Sequence, residues 1–267
     1  MSQEQDPPGA TRLPWWPAER GHGGGRRQPL GRDQIVRAAM HILDTEGLDA
    51  LSMRRLGREL DAGATSLYWH VKDKDELLDL IVDATVAEVD LARDDPSLPW
   101  RERAANVARD LRRVLVSHRG VSQIFGSRVT LGPNLLERFE QFVSIFRSAG
   151  FEGKALALAN QTVLNYASGF AVFEARGVSG PITEGRTVEE VQAITGSMLA
   201  SLPPERFPTL LSILADMATI TDDESFEFGL GRLLDGLELE LARIDAGRSA
   251  SGGDGRPPSG GSNKPAG

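Results

Sequence analysis

The period of the apolar residues is the strongest constraint on this chain. From about Arg32 to Asp245 they recur at three- and four-residue spacing, as along one face of a helix. Ile35, Ala38, Ala39, Ile42 and Leu43 set the first such face, and Glu46-Gly47 closes it, glycine being suited to a left-handed cap. Ser52 is placed to cap a second helix through Met53, Leu56 and Leu60. A short helix follows from Ala64 to His70, then a long one from about Asp75 to Ala92. Further helical stretches are expected at about 101–118, 121–127, 132–149, 153–176 and 223–244. The stretch from 187 to about 220 is weakly helical and broken by Pro203, Pro204 and Pro208. No run alternates as a half-buried strand does, so the fold class is all-α.

Composition trims the possibilities. A length of 267 residues allows one large domain or two small ones. Without cysteine there is no disulfide framework, thiolate metal site or cysteine nucleophile. No apolar run is long enough for a membrane span, and the polar, proline-rich start is not a secretory signal, so a cytoplasmic protein is expected. Residues 1–31 and 246–267 are rich in Pro, Gly and Arg or Ser, and neither can bury enough apolar surface to offset the entropy of ordering. They are read as a disordered basic arm and a disordered tail. The four histidines are scattered with no metal-ligand spacing, and Gly23-Gly24-Gly25 opens no helix after a strand. No catalytic set, metal site or cofactor is implied.

Residues 52–70 carry the most informative pattern. Two short helices joined by a turn containing glycine make a helix-turn-helix. The second begins with small residues, Ala64, Thr65 and Ser66, which allow its N-terminus to approach base edges in the major groove. Tyr68, His70 and Lys74 are placed for flanking phosphates, and Arg54 for a guanine edge or a phosphate. Leu67 and Val71 read as core. An isolated helical hairpin of this kind is compatible with no DNA binding at all.

The whole stretch LSMRRLGRELDAGATSLYWHVKDKDELLD closely resembles the DNA-binding domain of the TetR (tetracycline repressor) family. Later segments, PWRERAANVARDLRRVLVSHRG, FGSR, FRSAGF, NYASGFAVFE and FEFGLGRLLDGLELEL, resemble its regulatory domain. The resemblance implies a three-helix helix-turn-helix domain at 32–78 and a helical ligand-binding and dimerisation domain at 79–245. It further implies a homodimer that represses at a palindromic operator in double-stranded DNA until a small-molecule effector releases it. By matching position it assigns DNA contacts to Arg54, Ala64, Thr65, Ser66, Tyr68, Trp69, His70 and Lys74. Ala64 stands where the tetracycline repressor has glutamine, and alanine reaches at most a thymine methyl, so the operator differs.

The net charge of −8 argues against a nucleic-acid binder until it is divided along the chain. Residues 1–74 are near neutral at +1, whereas 75–245 carry −11. Arg26, Arg27 and Arg32 stand immediately before the first helix; a basic arm there either enters the minor groove or is simply solvated. Trp15-Trp16 in the arm has no explanation.

The resemblance places Asp90 and Ile124 where the tetracycline repressor has histidines, Val107 in place of its asparagine and Phe142 in place of its glutamine. Loss of these groups excludes magnesium–tetracycline as the expected effector. The candidate lining is Val107, Leu111, Ile124, Phe125, Arg128, Phe139, Phe142, Asn165, Phe170 and Glu174, which describes a mainly apolar pocket with few polar anchors. Phenylalanines at helical spacing are more often plain core, and Arg128 and Glu174 also read as surface residues. Dimerisation is assigned to the helices near 153–176, rich in small residues, and 223–244, whose stripe of Phe226, Leu230, Leu233, Leu234, Leu237, Leu241 and Ile244 is wide for one partner. Two rival readings stay open: an architectural DNA-binding protein without a ligand, and an all-α small-molecule-binding or enzyme domain with an incidental hairpin.

Overall fold

The structure, a computed structural model, describes residues 30–90, 95–126, 128, 130–177 and 185–252. Among these, every regular element is a helix: α1 (Arg32–Glu46), α2 (Met53–Glu59), α3 (Ala64–Tyr68), α4 (Lys74–Val86), α5 (Trp100–Ser117), α6 (Arg119–Ser122), α7 (Pro133–Ala149), α8 (Gly153–Arg176), α9 (Val188–Ala200), α10 (Pro208–Met217) and α11 (Asp222–Gly252). The helices stop and start where the signals place them, although Gly47, with ψ 174, is not the left-handed cap expected. Gly47 has φ +85 at the end of α1, and the Ser52 hydroxyl accepts from Arg55 N at the start of α2. Asp73 caps α4 by accepting from Glu76 N. No described helix is long and apolar enough to cross a membrane.

Several boundaries differ from expectation. The connector α4 ends at Val86 and gives way to turns, while 91–94 lie outside the described residues. The weak stretch after 187 resolves into two helices, because Thr187 and Glu190 form a reciprocal capping box and Pro208 opens α10. The last helix runs through to Gly252, past the expected end near Ile244. Its extension is held by Arg248, which pairs with Glu152 at 3.2 Å and donates to Gly150 O at 3.1 Å. Residues 246–252, expected to begin the disordered tail, are therefore helical; residues 1–29 of the expected arm and 253–267 of the tail lie outside the described residues.

Two apolar cores result. The first joins Ile35, Ile42 and Leu43 of α1, Leu56 of α2, Leu67 of α3, and Leu77 and Ile81 of α4. Val121 and Ile124, from far along the chain, complete it. The second joins α5, α7, α8 and α11 around Val114, Leu115, Phe146, Val163 and Phe226. Phe125 packs against both. Burying each large apolar side chain contributes about 1.5–3 kcal/mol, so both cores are organising centres.

The joint between them is tight. A Cβ on Gly120 would lie 2.2 Å from Leu43 O, so α6 rests directly on the α1 backbone. Asp44 accepts from Gly120 N at 3.1 Å and from His118 Nδ1 at 2.7 Å, while His118 Nε2 lies 3.1 Å from Glu88. Burial disfavours the charged ring, but the hydrogen bonds to Asp44 and Glu88 outweigh it and raise the His118 pKa above 6.5. A folded pKa above the unfolded one adds stability that is complete below the unfolded value and is lost as pH rises through the folded one. The melting temperature is therefore expected to fall as pH rises above the ordinary histidine value and through the raised folded one. His118→Gln should flatten that slope in thermal melts; an unchanged slope would assign it elsewhere.

Candidate functional site

The two-helix end of the first core presents a row of exposed groups. Arg55 is held by Glu46 and Glu59, which ties α2 to α1 and leaves its neighbour Arg54 exposed. Leu67 anchors α3 from below with no exposure, so Thr65, Ser66 and Tyr68 face outward. The helix is shorter than expected and stops at Tyr68, with Trp69 as its cap and His70 in the following turn. Ala64 is its first residue. Trp69 is 85% exposed and Tyr68 52%. Two adjacent aromatics are thus left in water at the end of α3. Lys74 begins α4 beside them.

Arg32 does not belong to a free arm. It is the first residue of α1, and its guanidinium donates to His70 O at 3.1 and 3.2 Å and pairs with Glu76 at 3.4 Å. It therefore fixes the turn that carries Trp69 and His70. Arg26 and Arg27 lie outside the described residues.

A cavity of about 110 Å³ opens in the second core, between α4, α5, α7 and α8. Its wall includes Val86, Val107, Leu111, Phe139, Phe142 and Val163. Among the described residues of the wall Arg138 alone is charged, and its guanidinium donates to Val89 O and Ala87 O, at 3.1 and 3.2 Å. The cavity is thus almost wholly apolar.

Helix α4 connects the two places. It begins beside the exposed aromatics and ends with Val86 in the cavity wall. Along one face it carries Asp75, Asp79 and Asp83, one helical turn apart. Arg128 pairs with Asp79 at 2.9 Å and Asp75 at 3.1 Å, and Thr130 donates to Asp79 at 3.3 Å. Buried Asp83 accepts from Asn134 Nδ2 and Leu135 N, both at 2.9 Å. The α6–α7 connection and the start of α7 therefore grip α4, and Leu135 itself lines the cavity.

Comparison with known proteins identifies the arrangement. Residues 35–81 match the family described as "Bacterial regulatory proteins, tetR family", and residues 94–241 match "Tetracyclin repressor-like, C-terminal domain". The chain belongs to the TetR family. An HTH-type transcriptional regulator of Saccharopolyspora erythraea is 42% identical over 146 residues, which span 54% of this chain and 61% of that relative. The HTH-type transcriptional repressor DrrR1 of Streptomyces coeruleorubidus is 32% identical over 229 residues, 85% of this chain and 84% of its own. Among solved structures, apo ActR of Streptomyces coelicolor superposes with a TM-score of 0.71 at 33% identity, covering 82% of this chain and all of that one. ActR has also been solved with actinorhodin (TM-score 0.69, 36% identity, 79% and 96% covered). BioQ bound to its natural double-stranded DNA operator gives 0.53 at 30% identity, with 78% and 98% covered. The relatives are named as regulators and repressors, not as enzymes.

Within this TetR frame the expected lining divides. Val107, Leu111, Phe125, Phe139 and Phe142 border the cavity. Ile124 does not: it is 3% exposed and belongs to the first core. Arg128 is turned to α4, as above. Phe170 packs on Tyr166 and Phe226 beneath the Arg112 guanidinium, and Glu174 holds Arg112 at 2.6 Å. Asn165 lines a separate groove. Of the polar anchors expected from the sequence, Arg128 and Glu174 are thus structural ties, to α4 and to Arg112 of α5. Missed instead were Val86, Val89, Leu135 and Arg138, together with Ala108, Val163, Leu164 and Ala167. The spacing of Leu135, Arg138, Phe139 and Phe142 on α7 is a one-face signal that could have found two of them.

The apolar stripe of α11 also turns inward. Phe226, Leu230 and Leu234 are buried in the second core, with Leu237, Leu241 and Ile244 packed against it. The apolar groups that α8 and α11 leave exposed are others: Leu158 and Phe173, Phe228 and Leu239.

Proposed function

We propose that the protein is a homodimeric repressor that binds a palindromic operator through α2 and α3 and releases it when a small, mainly apolar effector fills the cavity. The carrying observation is that α4 reaches from the exposed aromatics to the cavity wall and is gripped by the segment that lines that wall. A change in cavity occupancy therefore bears on the helix that sets the reading head's position. In this reading 32–78 form the head and 79–245 the regulatory part. Arg54, Thr65, Ser66, Tyr68, Trp69, His70 and Lys74 contact DNA, with Ala64 at the helix start. The exposed apolar groups of α8 and α11 favour dimerisation through those helices.

An effector of low polarity suits a wall whose one charge already serves two carbonyls. Magnesium–tetracycline does not suit it, since among the described residues no lining residue is a histidine or a carboxylate. ActR, solved with actinorhodin, gives precedent for a small-molecule ligand on this fold.

Fluorescence anisotropy with duplexes from DNA flanking the gene tests the reading. A palindromic duplex should bind far more tightly than a scrambled one. Lys74→Ala should weaken binding and lower the slope of log affinity against log salt by about 0.9, the release from one phosphate contact. Equal affinity for both duplexes, with Lys74→Ala unchanged in affinity and slope, would sink the assignment.

A further inference from the structure

Helix α7 holds α4 at two places. Asp83 takes the start of α7, as described, and Arg138, one turn further on, takes the end of α4. The cavity surface is almost wholly apolar, so Arg138 contributes its aliphatic stem to the wall. Its guanidinium leaves the wall for the carbonyls that end the helix: Nε donates to Val89 O at 3.1 Å, and Nη2 to Ala87 O, of the C-cap residue, at 3.2 Å. Carbonyls at a helix end lack intrahelical donors, and a cation there also suits the negative end of the helix dipole. Methionine or leucine would line the wall without a charge to desolvate, so the two carbonyls are what distinguishes arginine here. The held segment is itself the facing wall. Val86 and Val89 line the cavity from the α4 side, and Leu135, Phe139 and Phe142 from α7. The Arg138 bonds therefore tie two walls of the cavity directly to each other.

We propose that Arg138 is the positioning residue that couples the cavity to the reading head. It is a latch: closed, it holds the end of α4 against α7 and fixes the head in the operator-binding position. A ligand that wedges the two walls apart stretches the bonds to Ala87 and Val89 and frees the end of α4. The element with two arrangements is thus the α4–α7 edge, biased by the ligand on one side and by DNA on the other. The guanidinium is spent on α4, so the ligand class is a compact apolar molecule, selected by size and not by a polar contact to this residue. The inference rests on reading the inner cavity as the effector site and α2 and α3 as the DNA-binding face.

Calorimetry with naphthalene, an apolar probe without hydrogen-bonding groups, and anisotropy with the palindromic duplex test it on the full chain. In the wild type, saturating naphthalene should weaken duplex binding about tenfold, within the usual range for coupled sites. Arg138→Met keeps an unbranched apolar stem in the wall and removes the guanidinium. It should bind naphthalene at least as tightly as the wild type, because no latch has to open. Its duplex affinity should already lie near that of the naphthalene-bound wild type, and naphthalene should change it by less than about twofold. Arg138→Lys keeps the charge without the planar fork and should fall between the two. A full tenfold response in either variant, or loss of naphthalene binding in both, would overturn the latch. So would naphthalene binding to the wild type with no effect on the duplex, which leaves the cavity as a ligand site. No binding of naphthalene to the wild type would remove the cavity reading, and no preference for the palindromic duplex would remove the DNA reading; the inference falls with either.

Discussion

Gly120→Ala is expected to lower the melting temperature by about 5–10 °C, the result of roughly 2–3 kcal/mol of overpacking in a chain this long. The added methyl meets Leu43 O at 2.2 Å and its carbonyl carbon at 2.4 Å. These are backbone atoms of α1, so no side-chain rotation relieves the clash. Either α6 lifts off α1, losing the Asp44 contacts to Gly120 N and His118, or α1 bends. Gly196→Ala on α9 is the matched control, because nothing lies within 4 Å of its Cβ. It should gain up to about 1 kcal/mol of helix propensity. Equal melting temperatures for the two variants would mean that the α1–α6 contact is not as close as described.

Asp83→Ala is expected to cost about 2–3 kcal/mol by leaving Leu135 N and the Asn134 amide without their acceptor. Leu135 N is one of the orphan donors in the first turn of α7, so Asp83 caps that helix from another element. Asp83→Asn keeps an acceptor for Leu135 N and should retain part of the stability. The same substitutions should loosen the hold of α7 on α4. Chemical denaturation measures the first effect. The second should appear as weaker discrimination between effector-bound and free protein in operator binding. Gly132 is fixed by the same contact: a Cβ there would fall 2.1 Å from the Asp83 carboxylate carbon. Unchanged stability in Asp83→Ala would show that the carboxylate is not the cap.

Much of this was legible in the sequence, for identifiable reasons. The 3.6-residue period, Gly47, Ser52 and the prolines are local signals, and local signals set helix ends. The exposed row on α3 was legible because a short helix anchored by Leu67 has only one buried side. The cavity was legible only in part. Whether a phenylalanine at helical spacing lines a void or fills it depends on the partner helix, which periodicity does not supply. Phe142 borders the cavity, whereas Phe170 is locked between Tyr166 and Phe226. Charged residues were harder still. Arg128 and Glu174 read equally well as anchors for a ligand, yet each finds an opposite charge 49 or 62 residues away in the chain. Such long-range pairing leaves no trace in spacing.

The contribution of Val121 and Ile124 to the first core bears on how such regulators are recombined. The family match for the DNA-binding part ends at residue 81, and the C-terminal match begins at 94. A chimera spliced between those points would give the head of one protein the α6 of another. Its foundation would then be built from two unrelated parents. Grafts that carry residues 118–125 along with the head keep that foundation intact, so the exchangeable module is discontinuous in sequence.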